Sequence, residues 1–134
     1  GTTTTRTGPV QVGSAATWAS LAPGGFSTLA VRTDGTLWAW GDNATGQLGD
    51  GTTTDRLAPA QVGSASTWKQ ASASLYHVAA VRTDGTLWTW GENGLGQLGD
   101  GTTISRSVPA QVGSATNWDR VEVGSGFVTG LRRS

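Results

Sequence analysis

The sequence predicts an all-β fold built from repeated four-stranded units. Three observations predict it: a fifty-residue repeat, an Asp-Gly dipeptide between β-prone runs in both full copies, and a composition of turn and strand formers. Residues 1–13 read GTTTTRTGPVQVG, residues 51–63 read GTTTDRLAPAQVG, and residues 101–113 read GTTISRSVPAQVG. Trp18, Trp68 and Trp118 share one phase, and Pro9, Pro59 and Pro109 share another. Between 1–50 and 51–100, 30 of 50 positions are identical without a gap. The 134 residues hold about 2.7 periods, few enough for one array, 1–134. Its parts are repeat 1 (1–50), repeat 2 (51–100) and a partial repeat 3 (101–134).

Each element of the repeat follows from local chemistry. Pro9-Val10-Gln11-Val12 reads as a short strand, with the proline at an edge or a start because it cannot donate to a ladder. The next strand begins near Trp18. Leu29 to Thr33 runs into Asp34-Gly35, and Thr36 to Trp40 continues beyond it; Asp84-Gly85 repeats the pattern. Asp-Gly in that setting predicts a type I′ turn with positive φ at both central residues. Trp38 and Trp40 alternate with Leu37 and Ala39, so this strand is expected to be covered on both faces. Gly41 to Gly51 is a turn-rich return. About four antiparallel strands per period is the unit of a β-propeller blade, and a closed propeller needs about four to eight blades.

Composition narrows the function. Nine basic residues balance nine acidic ones, and only 13% of residues are charged, so the footprint of a nucleic-acid binder is missing. No apolar run approaches the roughly 20 residues that a membrane-spanning helix needs. The absence of cysteine removes disulfides, a thiolate nucleophile and cysteine-ligated zinc. His77 is the single histidine, which argues against a nitrogen/sulfur metal site within one chain. No Gly-x-Ser-x-Gly elbow accompanies it. We therefore expect neither an enzyme nor a cofactor. Gly46-Gln47-Leu48-Gly49-Asp50-Gly51 lacks the lysine of a phosphate cradle and carries an aspartate, so it reads as a structural turn. Asp34, Asp42 and Asp50 are too widely spaced for a calcium loop. Arg32, Arg82 and Arg132 share a phase, as do Arg6, Arg56 and Arg106. Both sets are expected to pack on tryptophan or to bond loop carbonyls.

The run Ala30 to Asn43, AVRTDGTLWAWGDN, followed by Gly46-Gln47-Leu48-Gly49, resembles the regulator of chromosome condensation repeat. Residues 80–99 match again, through Trp90-Gly91-Glu92-Asn93 and Gly96-Gln97-Leu98-Gly99. The resemblance implies a seven-bladed propeller used for protein binding. It makes His77 the motif histidine, a structural hydrogen-bonder. Members include a nucleotide-exchange factor for a small GTPase and propeller inhibitors of β-lactamases. Similar tandem copies occur in secreted bacterial proteins, so the resemblance points to that setting.

One block departs from the family pattern. Residues 19–29 differ from 69–79 at every position, and 69–77 differ throughout from 119–127. In a propeller the first strand of each blade lines the channel, and the turn after it opens on one end face. Gly25, Phe26, Ser27, Leu75, Tyr76, His77, Ser125, Gly126 and Phe127 are then expected to form a binding patch. Aromatics among small polar residues suit protein recognition. The expected function is a non-enzymatic, protein-binding propeller fragment that self-assembles. The alternative is a structural or engineered fragment with no ligand of its own. Three copies supply about eight periods, so a trimeric ring is favoured, with the Pro9–Val12 strand completing a neighbour's blade. The other source of blades is the remainder of a longer chain. The lack of methionine and the close similarity of the copies suggest an excised or engineered piece.

Overall fold

A computed structural model describes residues 1–14 and 17–134. Among them lie ten strands and no helix. The first four are β1 (Trp18–Gly24), β2 (Ser27–Arg32), β3 (Leu37–Gly41) and β4 (Arg56–Gln61). Their counterparts are β5 (Trp68–Ala73), β6 (His77–Arg82), β7 (Leu87–Gly91) and β8 (Arg106–Gln111). Last come β9 (Trp118–Val123) and β10 (Val128–Arg132). Strands β1 to β4 form one antiparallel meander, β5 to β8 a second, and β9 pairs with β10. The register repeats as the sequence does: Leu29 faces Ala39 and Thr28 faces Trp40, while Ala79 faces Thr89 and Val78 faces Trp90.

The hairpin turns differ from the expected type I′ geometry. In the two hairpins only the glycines, Gly35 at 78° and Gly85 at 77°, have positive φ, and among the described residues no other residue type does. Gly35 N–H donates to the Arg32 carbonyl at 2.9 Å, and Arg32 N–H donates to the Thr36 carbonyl at 2.9 Å. This is a three-residue loop, a type I turn closed by a glycine in the left-handed region. Asp34 stays right-handed because its carboxylate is occupied. It accepts from Thr36 N–H at 2.9 Å and Thr36 Oγ1 at 2.6 Å. The Trp38 indole then donates to Thr36 Oγ1 at 2.9 Å.

Alternation along the strands supplies two packing faces per sheet. Leu29, Val31, Leu37 and Ala39 of the first sheet, with Leu48 of the β3–β4 loop, meet Trp68, Ala71, Val78, Ala80 and Trp90 of the second in one core. Ala79, Val81 and Leu87 meet Val121, Trp118, Val123 and Val128 in the next. Strand β5 packs on β1, β2 and β9, whereas the third and fourth strands do not pack comparably on their counterparts. The sheets therefore radiate like spokes, with the first strands innermost. Two faces lack a neighbouring blade among the described residues. Leu131 is 64% exposed, although Val31 and Val81 at its phase are 3% and 0% exposed. At the other end Trp40 is half-buried, while its counterpart Trp90 is fully buried.

The expected Pro9–Val12 strand is not formed. Residues 1–14 carry no strand and are exposed. The reason lies in the pairing: Arg56–Gln61, at the same phase, pairs with the tryptophan strand that precedes it. Among the described residues no strand pairs with residues 6–11. They lie beside Trp40, Leu57 and Pro59 instead.

Candidate functional site

The β1–β2, β5–β6 and β9–β10 turns lie at one end of the spokes, and the Asp-Gly hairpins lie at the other. Turn one abuts turn two: a Cβ built on Gly25 would stand 2.3 Å from Leu75 Cδ2. Turns two and three flank a cleft of about 390 Å³, lined by Ser74, Leu75, Tyr76, Val123, Gly124 and Ser125. Phe26 is 77% exposed and Phe127 58%, with Leu75 and Tyr76 also exposed. These turns carry no charged side chain. Gly25, Phe26, Leu75, Tyr76, Ser125, Gly126 and Phe127 all lie in these three turns at one end of the spokes.

Two of the expected site residues do not reach this surface. Ser27 and His77 are buried. They occupy the first position of the second strand, opposite Gly41 and Gly91, where the side chain turns inward. Ser27 Oγ donates to the Gly24 carbonyl at 3.2 Å. His77 Nδ1 lies 2.8 Å from Ser74 Oγ, and Ser74 Oγ also accepts from His77 N–H at 3.2 Å. Serine and histidine here close a turn. Burial pushes the His77 pKa below its ordinary value, and the Phe127 backbone and Glu92 pull it the other way.

The long β3–β4 loop fixes turn two from below. Asn43 is its buried hub. Its Nδ2 donates to the carbonyls of Thr52 at 3.0 Å and Thr54 at 3.1 Å, and its Oδ1 accepts from Leu48 N–H at 2.9 Å. Asp50 accepts from Arg56 Nε at 2.7 Å and from Thr52 N–H at 2.9 Å. Asn93, Asp100 and Arg106 repeat the arrangement. The loop then reaches the next blade. Thr45 Oγ1 donates to the Tyr76 carbonyl at 3.0 Å, and the Trp90 indole donates to the Gln47 carbonyl at 3.0 Å. These hydrogen bonds hold the main chain of turn two and leave the Leu75 and Tyr76 side chains facing out.

The arginines divide by phase. Arg32 stands 4.8 Å from the Trp18 ring centroid and 3.8 Å from that of Trp38. Arg82 is held likewise between Trp68 and Trp88, and Arg132 lies over Trp118. The expectation for Arg56 and Arg106 is corrected: they bond the carboxylates of Asp50 and Asp100, not tryptophan or carbonyls. Each aspartate lies six residues earlier, in the loop that leads into the strand its arginine begins. Arg6 lies in the exposed N-terminal segment.

Sequence reasoning passed over Asn43, Asn93 and the interblade role of Gln47. The available signal was their identity between copies inside loops. It also passed over Gln70, whose side chain pairs with the main chain of β9. Leu95, 87% exposed, escaped notice too. It replaces Thr45 at the phase that touches the next turn, and that difference between copies lies outside the 19–29 block.

Antiparallel four-stranded sheets radiating from their first strands define an arc of β-propeller blades. The family model described as the Regulator of chromosome condensation (RCC1) repeat matches residues 34–81 and 84–131. A second model of the same description matches 18–47 and 68–97. The chain belongs to the RCC1 repeat family. No curated protein sequence matches it. Among solved structures it is similar to human WBSCR16, with 23% identity and a TM-score of 0.77 over 86% of this chain and 30% of that one. It is similar to Prp20p from Saccharomyces cerevisiae, with 19% identity and a TM-score of 0.78 over 93% of this chain and 33% of that one. It is also similar to yeast RCC1 (Prp20) in complex with Kap60, with 22% identity and a TM-score of 0.75 over 94% and 32%. The chain spans about a third of the length of these structures.

Proposed function

We propose that this chain is a non-enzymatic, protein-binding segment of a propeller that makes its contacts through the turn end. The observation that carries this reading is the contrast between framework and turns. The third strands and the long loops after them repeat nearly unchanged, while Phe26, Leu75, Tyr76 and Phe127 come from the block of first strand and following turn where the copies differ. Exposed aromatic side chains on a rigid support are the usual anchors of protein interfaces. The Prp20p structure is described with its binding to Gsp1p and histones, and the other yeast structure is bound to Kap60. Those partners belong to those proteins. They support a protein as the class of ligand here.

Residues 1–134 act in this reading as one array, completed by further blades of the same kind. The open Trp40 and Leu131 faces support it, since the equivalent faces inside the chain are covered by a blade. Second copies are the favoured source and the rest of a longer chain is the other. Light scattering on the 13.7 kDa chain separates the two: a trimeric ring has a mass of about 41 kDa. A monomer at all concentrations contradicts self-assembly. The turn-end reading is tested by selecting protein ligands from a random library on the immobilised chain. Hydrogen exchange should then locate the protection at residues 24–27, 74–77 and 124–127. Protection elsewhere in every selected complex would overturn it.

A further inference from the structure

The hairpin end carries a second cleft, unlike the first in charge. It measures about 350 Å³ and lies between the Arg82–Gly85 hairpin and the start of β9, with Lys69 and Arg133 among its lining residues. Arg82 lacks a carboxylate partner, and it shares its tryptophan stack and unpartnered Nε with Arg32 of the first repeat. Its guanidinium is stacked 4.5 Å from the Trp68 centroid and 3.8 Å from that of Trp88. Its Nε is buried without a hydrogen-bond partner, and no carboxylate lies within ion-pair distance of it among the described residues. The nearby Asp84 carboxylate turns its Oδ1 to Thr86 N–H at 3.0 Å and Thr86 Oγ1 at 2.7 Å, and it stays outside ion-pair distance of Arg82. Arg106, in contrast, has its acceptor in Asp100. Stacking removes the rotamer freedom of the guanidinium before any ligand arrives, so an oxyanion meets a donor already oriented.

The rim holds two more cations on a single internal carboxylate. Lys69 Nζ lies 2.6 Å from Asp119 Oδ1, and Arg133 lies 2.7 Å from the same oxygen. One aspartate therefore shares two cations, with Arg82 beyond it unmatched. We propose that this cleft binds a carboxylate borne by a protein partner, seated on Arg82 and flanked by Lys69 and Arg133. Asp119 is then an internal competitor for the rim cations. The interspersed Asp34, Asp84 and Asp119 make the whole end mixed in charge, which suits a single carboxylate and disfavours a polyanion such as nucleic acid. This site is separate from the turn end and does not rest on the reading given to that end.

The arginine side-chain signals in a proton–nitrogen correlation spectrum of the full 134-residue chain test it. The probe is a capped ten-residue Gly/Ser peptide with one central glutamate, alongside its glutamine counterpart and free acetate. The expected result is a saturable movement of the Arg82 Nε signal with the glutamate peptide, none with the glutamine peptide, and weaker binding of acetate. Asp119→Asn should tighten binding and Lys69→Gln weaken it, each about threefold, the size of an exposed ion pair. Both residues are at the rim, so these variants do not disturb the tryptophan stack. The proposal is overturned if the glutamine peptide acts equally, if Arg106 moves with Arg82, or if Asp119→Asn has no effect. Acetate binding as tightly as the peptide would overturn the protein-borne source.

Discussion

The indole N–H of Trp90 donates to the main-chain carbonyl of Gln47 across 3.0 Å, and the bond crosses from one blade to the next. Both groups are buried. The long β3–β4 loop is thereby a part of the interblade joint and not a surface excursion. Removing the donor while keeping an aromatic ring leaves the Gln47 carbonyl unpaired. Trp90→Phe should cost about 2 kcal/mol in urea unfolding, given the usual cost of an orphaned buried acceptor. Trp40→Phe, on the open face, should cost well under half as much.

Asn43 and Asn93 should prove equally sensitive. Each satisfies several loop carbonyls and one N–H from a buried position, and no other side chain can reach all of them. Asn43→Ala should destabilise the chain by about 3 kcal/mol, because several buried polar groups lose partners together. Hydrogen exchange should show the loss first at the Leu48 amide.

The junction between blades two and three carries a side-chain clamp that the preceding junction lacks. Gln70 Nε2 donates to the Val121 carbonyl at 2.8 Å, and Gln70 Oε1 accepts from Val121 N–H at 3.0 Å. Its amide pairs with the inner edge of β9 as a neighbouring strand would. Ser20 stands at this phase in the first copy and is too short to do the same. Gln70→Ala should speed exchange at Val121 and cost about 1 kcal/mol. Ser20→Gln should gain a similar amount, by making the missing pair with β5. Unfolding curves for the two variants decide the matter.

Two pH windows follow from the buried groups. Asp50 and Asp100 have carboxyl pKa values held below the ordinary 3.8. Burial opposes this shift, and the hydrogen bonds from threonine and arginine prevail. A carboxyl depressed in the folded state stabilises it above the unfolded value, so this contribution is lost as pH falls below about 4. The burial-lowered pKa of His77 acts in the same direction at higher pH. The unfolded chain takes up a proton near 6.5 before the folded chain does, so stability declines as pH falls through that value. His77→Gln should flatten the upper window, and Asp50→Asn with Asp100→Asn the lower one. Unfolding midpoints between pH 8 and 3 read both.

The repeat made most of the blade legible from sequence. Asp34-Gly35 located a hairpin, and the alternation through Trp40 located its third strand. The turn type was misread because the carboxylate of Asp34 bonds to Thr36, a contact that dipeptide statistics do not carry. The Pro9–Val12 strand failed because pairing belongs to the sheet and not to the segment. Its counterpart at 56–61 forms only against β3. The shared end of the three turns follows from the repeat, since turns after inner strands converge whatever their side chains. The inward direction of Ser27 is not legible in the sequence, and that of His77 is legible only through the structural role that the repeat motif implies for it. Both depend on a register opposite Gly41 and Gly91 that shifts by one residue would reverse.

The central claim is that the turn end binds protein through Phe26, Tyr76 and Phe127. The most direct measurement is the affinity of a library-selected protein ligand for the chain and for the Phe26→Ala, Tyr76→Ala, Phe127→Ala triple variant. Because these side chains are exposed, the variant should keep its unfolding midpoint within about 1 kcal/mol of stability. The account predicts a loss of affinity of about 100-fold or more, as for truncated hot-spot aromatics. An unchanged affinity with an intact fold would contradict it.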